Sequence, residues 1–467
     1  MDIKIFDTLK GELVNFVPIK NDSVSMYVCG PTVYNLIHIG NSRPMIVFDA
    51  FRRFLEYVGY KVTMVQNFTD IDDKIIIKAV KEGVPFNEVS ERYIVEYMKD
   101  ALALRIRTAN FHPKTTNYVH EIIKFINELI DKGFAYESAG DVYFDVRKFE
   151  QYGMLSHRNP DDMRSGSRIE VSDIKTDPLD FALWKKAKEN EPSWESPWGK
   201  GRPGWHIECS VMATELLGES FDIHAGGNDL IFPHHENERA QSMAHSGNDF
   251  ANYWMHNGMI KVAGDKMSKS IGNIWLVRDV VSKYGADTVK VFVLSKHYRV
   301  PLDFSEEGLQ AQKKSVSRVQ QALKDAEDFF AGTVPYVKNT EYMKSKIETF
   351  KQALSDDFNT SKAVALIFDL SAELNKALSE KNETHVIENY HLIRNEFGPV
   401  LGIFEIQETQ QKSSTDDTDK VMQVLIQLRN QARTDKNYTL SDSIRDGLAS
   451  IGIQLKDTPE GTKYVIQ

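Results

Sequence analysis

The sequence predicts an α/β protein: a parallel sheet built in two halves, split by an inserted subdomain, then a helical bundle and a small C-terminal domain. Three observations predict it. Strand, helix and strand patterns follow one another over residues 24–28, 45–57 and 61–67, the order of a parallel crossover unit. Strand-like apolar runs return at Phe221-Asp-Ile-His224-Ala-Gly-Gly227 and over 253–262. From residue 305 to 404 the apolar spacing is helical throughout.

Each element has a local reason. Val-Ser-Met-Tyr-Val, residues 24–28, forms a short buried strand that stops at the turn Cys29-Gly30-Pro31. Ser42 is placed to cap the next helix, with Pro44 just inside it and Gly59 just past its end. A second strand, 61–67, leads to a helix opened by Asp70-Ile-Asp-Asp73 and running to Lys81. Ligands of such sheets sit beyond the carboxyl ends of the strands. Cys29, Thr69 and Asp70 fall at that edge.

Residues 1–112 therefore form the first half of the sheet domain. Residues 113–203 form the insertion. It has a helix over 119–132, a strand over 141–145 and an aromatic stretch carrying Trp184, Trp194 and Trp198 among prolines and glycines. The second half spans 204–262, and a basic-loop region spans 263–304. The bundle covers 305–404. The segment 405–420, rich in Gln, Ser, Thr and Asp, is a linker. The last domain, 421–467, is helical and ends in short strands.

Bulk properties bound the function. A chain of 467 residues folds as several domains. Hydrophobic content of 41% and charged content of 27% are those of a soluble globular protein. A net charge of -10 excludes a basic coat for nucleic acid and leaves room for local basic patches. The start, Met-Asp-Ile-Lys-Ile-Phe, lacks the basic and apolar regions of a secretory signal. No run reaches the ~20 apolar residues of a membrane span. With only 2 cysteines and no such signal, the expected setting is the reducing cytoplasm, without a membrane partner.

The chemistry concentrates between Trp205 and Glu238. His234 and Glu238, four apart, share one face of a helix. With Cys29 and Cys209 they make two thiolates, one imidazole and one carboxylate, a complete tetrahedral zinc shell. Buried cysteines that merely pack, or a disulfide, compete with this reading. His38-Ile-Gly-Asn41, after the first strand, aims an imidazole and backbone donors at an anion. A histidine that simply caps the helix is the plain alternative. Lys266-Met-Ser-Lys-Ser270 places two lysines around small hydroxyl residues, a loop able to close on a polyphosphate. A solvated basic turn is its alternative. No Gly-x-Gly-x-x-Gly marks a dinucleotide site.

Together these strings resemble the class I aminoacyl-tRNA synthetase signatures. Within that class the chain is similar to the cysteinyl-tRNA synthetase family. The similarity runs from Tyr27-Val-Cys-Gly-Pro-Thr-Val-Tyr34 through Asn67-Phe-Thr-Asp-Ile-Asp-Asp-Lys74, Pro203-Gly-Trp-His-Ile-Glu-Cys-Ser210 and Phe232-Pro-His-His-Glu-Asn-Glu238 to Thr458-Pro-Glu-Gly-Thr462. It implies a split Rossmann-like catalytic domain and a C-terminal anticodon-binding domain. It implies ATP-dependent activation of L-cysteine and transfer to tRNA(Cys) by a monomer. Cys29, Cys209, His234 and Glu238 would hold one Zn2+, which selects the substrate thiolate, and Mg2+ would accompany ATP. His38, Asn41, Lys266 and Lys269 would act on the phosphates, with Gly227 and Asp229 near the ribose. Thr69, Trp205, His206, His224, His235 and His256 would surround the amino acid, and Tyr464 would stack on a tRNA base.

Two positions depart from the family pattern. Histidine is commoner where Asn41 stands, and tryptophan where Tyr464 stands. Other functions compete: a cysteine ligase acting on an amino sugar, a zinc hydrolase built on His234, His235 and Glu238, and a non-catalytic RNA binder. The C-terminal domain opposes the first, the closed four-ligand shell the second, and the intact Lys266–Ser270 string the third.

Overall fold

In the computed structural model the central sheet has four parallel strands, in the order Ala251–Asn257, Phe221–Gly227, Ser23–Val28, Lys61–Gln66. The structure describes residues 2–162, 175–262, 265–266 and 275–405. Beyond these it describes 422, 425–427, 429–430, 432–433, 438–450, 453–458 and 461–466. Two sheet strands come from each side of the insertion. The join between the halves is the pairing of Met26, Tyr27 and Val28 with Ile223, His224 and Ala225. All four strands are buried on both faces toward their carboxyl ends, which explains their near-continuous apolar runs.

The helix after the first strand differs from expectation at its start. It spans Ile39–Tyr57, capped by His38 and not by Ser42. The Ser42 hydroxyl instead donates to the Ile39 carbonyl at 2.8 Å, inside the first turn. His38 and Asn41 form a reciprocal cap: His38 Nδ1 accepts the Gly40 N–H at 3.1 Å, and Asn41 Oδ1 accepts the His38 N–H at 3.1 Å. The helix expected from Asp70 begins at Asp73, with Asp72 as its cap. Asp70 is buried and takes the Thr116 N–H and hydroxyl. The strand expected over 253–262 breaks at Gly258. Ile260–Val262 belongs to a separate three-stranded sheet with Asp265–Lys266 and Leu302–Phe304. A β-carbon on Gly258 would lie 2.7 Å from backbone atoms of Arg299 and Val300, so the chain can cross there only as glycine.

The insertion builds an antiparallel meander, Ala135–Ser138, Asp141–Phe144, Phe181–Lys186 and Gly201–Pro203, around a core with Trp184 and Phe144. Helices Glu306–Phe329, Glu341–Ser355, Thr360–Ser379 and Glu383–His391 follow. Their starts are written in the sequence: Ser305, Thr340, Asn359 and Asn382 each accept a backbone N–H three residues on. Phe358, at the turn between two of them, packs on Phe51 and Phe54 with ring centroids 5.0 and 6.1 Å apart. Arg53, buried beside Asp49, also grips Glu405 at 2.6 Å.

The chain divides into two compact units, Met1–Glu405 and Ile406–Gln467. In the second, a helix, Tyr438–Ser450, precedes a hairpin of Ile453–Thr458 and Gly461–Ile466, with Tyr464 opposite Leu455. No described helix is long and apolar enough to cross a membrane.

Candidate active site

A cleft of about 500 Å³ opens at the carboxyl ends of the central strands, where the two halves of the sheet meet. Cys29, His38, Asn41, Thr69, Trp205, Cys209, Gly227, Asp229 and His234 line it. Cys29 follows the Ser23–Val28 strand and extends its ladder by donating its N–H to the Ala225 carbonyl. The next turn lies against a neighbouring strand end. A β-carbon on Gly30 would fall 1.7 Å from the Asn67 carbonyl oxygen, so only glycine lets Cys29 reach this depth. Cys209 lies in the first turn of helix Ile207–Leu217, and Glu238 in that of helix Glu236–Ser246.

The four predicted metal ligands converge. Cys29 Sγ lies 3.9 Å from Cys209 Sγ and 3.5 Å from Glu238 Oε1. His234 Nε2 lies 3.6 Å from Cys209 Sγ and 3.0 Å from Glu238 Oε1. With zinc–sulfur bonds of ~2.3 Å and zinc–nitrogen or zinc–oxygen bonds of ~2.0–2.1 Å, a tetrahedron has edges of about 3.8 Å between sulfurs, about 3.5 Å from sulfur to a light atom, and about 3.3 Å between light atoms. The observed spacings follow that pattern. A second cluster, Cys29, His224, His235 and Glu238, is equally compact. Its His235–Glu238 and His224–Glu238 separations, 4.0 and 2.8 Å, straddle the tetrahedral edge by about half an ångström or more, and it lacks the second thiol. The donor set with both cysteines fits zinc better.

Electrostatics suit such an ion. Burial opposes ionisation of Glu238, but the His224 and His234 imidazoles hold its carboxyl well below the usual range. Burial also pushes the Cys29 thiol up, and the adjoining Cys209 sulfur adds to that. Cys209 meets the same burial, yet its contacts with Cys29 and His234 bring it down to about 7. Four acidic or basic groups thus share protons that a divalent cation would replace.

His206, His224, His235 and His256 do not line the cleft; they stand behind the ligands. His224 Nε2 holds Glu238 Oε2 at 2.8 Å, and His206 Nδ1 faces His234 Nδ1 at 3.0 Å. His235 Nε2 reaches Cys29 Sγ at 3.3 Å, its Nδ1 meets His256 Nε2 at 2.7 Å, and His256 Nδ1 meets the Thr8 hydroxyl at 2.7 Å. Burial, helped by neighbouring imidazoles, keeps His206 and His235 well below the ordinary range and takes His256 down to about 3. With a metal holding Cys29 as thiolate, the sulfur would accept only, and the neutral relay would have one direction: Thr8 to His256, His256 to His235, His235 to sulfur. The N-terminal hairpin, Lys4–Asp7 with Glu12–Asn15, that delivers Thr8 carried no signal in the sequence. Trp205, 41% exposed, stacks on His234 with ring centroids 4.3 Å apart, so its outer face forms cleft wall.

Another wall of the cleft is built around the His38 cap. The plain alternative for His38, a helix cap, is what the structure shows, and the capped turn lines the cleft. Asn41 spends its carbonyl oxygen on the cap, so its amide nitrogen is the donor end. The Lys266 backbone pairs with Lys261, next to cleft-lining Ile260. Lys269 lies outside the described residues. At the far end of that segment, the Trp275 carbonyl accepts the Ile39 N–H at 2.8 Å, and Leu276 bridges His38. The described residues flanking that segment, Lys266 on one side and Trp275 and Leu276 on the other, are therefore tied beside the cleft. Tyr464 belongs to the other unit.

The sheet, its switch point and the His38 turn, with the Lys266–Ser270 string of the sequence, define a class I tRNA synthetase. The family model for the class I (C) tRNA synthetase catalytic domain matches residues 15–314, and that for the DALR domain matches 349–405. Solved structures agree at the level of fold. One is methionyl-tRNA synthetase of Mycobacterium tuberculosis with methionyl-adenylate: TM-score 0.60, 15% identity, 81% of this chain and 89% of that one. Another is the LeuRS–tRNA ternary complex of Agrobacterium radiobacter: TM-score 0.62, 13% identity, 83% and 85% covered. At sequence level the chain is 60% identical over 463 residues to the Cysteine--tRNA ligase of Petrotoga mobilis, covering 99% of this chain and 98% of that one. It is 54% identical over 465 residues to that of Thermotoga maritima, covering 100% of both. The chain belongs to the cysteine--tRNA ligase family.

Proposed function

We propose that this chain activates L-cysteine with ATP and transfers it to the terminal adenosine of tRNA(Cys), with thiol recognition built on Cys29, Cys209, His234 and Glu238. The observation that carries the reading is the tetrahedral spacing of those four donors at the end of the parallel sheet, three of which, Cys29, Cys209 and His234, line the same cleft as the His38 turn. A zinc ion held there supplies a soft Lewis acid that favours sulfur as a further ligand.

The remaining work is positioning and charge stabilisation. In the first step the cysteine carboxylate attacks the α-phosphorus of ATP, and pyrophosphate leaves. The positive end of helix Ile39–Tyr57, His38 and the Asn41 amide face the phosphates. Lys266 and Lys269 neutralise charge on the departing pyrophosphate, and Mg2+ accompanies ATP. Gly227 and Asp229, on the cleft wall, take the ribose. In the second step the 2′-hydroxyl of the tRNA's last adenosine attacks the adenylate carbonyl, and AMP leaves. Neither step uses a protein nucleophile. One chain carries one complete cleft, so a cytoplasmic monomer suffices.

The decisive experiment is cysteine-dependent ATP–pyrophosphate exchange, followed by charging of added tRNA. Absence of exchange with cysteine would refute the reading. A second expectation concerns the C-terminal unit. Composition starts the linker at residue 405, but Glu405 is tied to Arg53, so the chain is best cut after it. A protein ending at Glu405 should keep pyrophosphate exchange and lose tRNA charging. Base stacking is worth about 1–3 kcal/mol per base, so kcat/KM for tRNA should fall roughly ten- to a hundredfold. Undiminished charging would remove the C-terminal unit, Tyr464 included, from tRNA recognition.

A further inference from the structure

We propose that Glu208 is a positioning residue that fixes the Thr69 hydroxyl as the acceptor for the α-ammonium group of the substrate amino acid. The inference rests on the cysteine reading above and goes one residue deeper than the cleft wall. Thr69 lines the cleft; Glu208 does not, and its carboxyl oxygen accepts the Thr69 hydroxyl from behind.

Three buried side chains meet at one atom. Thr69 donates its hydroxyl to Glu208 Oε2 at 2.9 Å, and Thr115 donates its own to the same oxygen. Thr69, Thr115 and Glu208 are 2%, 1% and 1% exposed, so water does not compete for these bonds. The three come from separate parts of the chain: the end of the Lys61–Gln66 strand, the entry to the insertion, and helix Ile207–Leu217. The neighbouring residues interlock in the same way, because Asp70 takes both the N–H and the hydroxyl of Thr116. The junction is therefore rigid.

A hydroxyl has one proton and two lone pairs. Glu208 takes the Thr69 proton. The Asn67 amide approaches the same oxygen at 3.4 Å, which uses at most one lone pair. The Thr69 backbone is already committed, its N–H to the Pro31 carbonyl and its own carbonyl to the Val33 N–H. What Thr69 still offers the cleft is an oxygen lone pair, an acceptor.

The substrate needs an acceptor at this point. Its sulfur belongs at the Cys29–Cys209 cluster. Its carboxylate must turn toward the His38 turn to attack ATP. The remaining polar group, on the same α-carbon as the carboxylate, is the ammonium, which can only donate. Glu208 adjoins Cys209 in the chain, so the acceptor is built within one residue of the sulfur site. Without Glu208, the Thr69 hydroxyl proton has no fixed direction and is free to turn toward the cation.

The test compares cysteine with 3-mercaptopropionate, which keeps the thiol and carboxylate and lacks the amine. In Glu208→Met, the KM for cysteine in pyrophosphate exchange should rise roughly ten- to a hundredfold, the range for a hydrogen bond to a charged group. The inhibition constant of 3-mercaptopropionate and the zinc content should stay as in the unaltered protein. Glu208→Gln, which retains an acceptor oxygen, should keep most of the affinity for cysteine. Adding Glu208→Met to Thr69→Val should bring no further selective loss, because the carboxylate acts through that hydroxyl. Equal weakening of both compounds, loss of zinc, or additive effects would overturn the proposal. Should Glu208→Met not fold, Thr69→Val alone decides with the same two compounds: selective loss of cysteine supports the proposal and equal loss refutes it. Failure of the unaltered protein to exchange with cysteine would be a different result, against the cysteine reading itself.

Discussion

Protein stripped of its metal should lose most of its preference for cysteine over serine. The two amino acids differ by one atom. A pocket of shape and ordinary hydrogen bonds separates such near-isosteres only ~10²-fold. No described segment is a large second domain for hydrolysing errors; the insertion is a small meander on its own core. On the proposed reading the selection falls on a metal held by Cys29, Cys209, His234 and Glu238. Zinc bonds a thiolate at ~2.3 Å, and a coordinating thiol is deprotonated outright. A serine hydroxyl is a harder donor with a far higher pKa. The holoprotein should contain about one zinc per chain and gain one sulfur neighbour in X-ray absorption when cysteine binds. Cys209→Ser should weaken the metal and raise the KM for cysteine. The deciding measurement is exchange with each amino acid, before and after chelation. Unchanged rejection of serine by metal-free protein would rule out selection by the metal.

Lys269→Ala should slow adenylate formation by about 10²–10³-fold while cysteine binding barely changes. Pyrophosphate leaves with charge that builds in the transition state, where a preorganised cation counts most. Losing one such contact is typically worth ~2.7–4 kcal/mol. The anchoring of the loop argues for this position. On one side the Lys266 backbone pairs with Lys261 beside the cleft; on the other, Trp275 and Leu276 bond to the His38 turn. Single-turnover adenylate formation, with cysteine affinity measured separately, distinguishes a lost transition-state contact from lost binding. Near-normal exchange would remove Lys269 from the reaction.

Much of this is legible in the sequence because local chemistry and tertiary role agree. The strands 24–28 and 61–67 are apolar because both faces are buried, and buried parallel strands show themselves as continuous runs. The bundle helices announce themselves through their capping side chains. The four donors are legible from residue type and the spacing of His234 and Glu238. Other features need tertiary information. Ser42 resembles a cap, but the capping atoms come from His38 and Asn41, residues whose chemistry points to phosphate. The expected strand 253–262 conceals a break because Gly258 is compatible with either path until Arg299 and Val300 arrive against it. His206, His224, His235 and His256 are expected around the substrate, whereas they buttress the metal ligands from behind. Thr8 has no signal, since a lone threonine is common anywhere, and Glu208, though inside the Pro203–Ser210 string, has no role that the string announces.

The candidate metal ligands also carry a meaning for the chain as a polymer. Cys29 meets Cys209 across 180 positions and Glu238 across 209. A bound ion would thus be a clasp over almost half the polypeptide, set beside the pairing of the Ser23–Val28 and Phe221–Gly227 strands. Ring closure of this size costs little more than that of a ring half as long, about 0.6 kcal/mol per doubling. The clasp also survives scission: after a protease cut in the insertion, the ion would add a link to the paired strands and to the contacts, such as Arg53 with Glu405 and Phe51 with Phe358, that already join the two polypeptides.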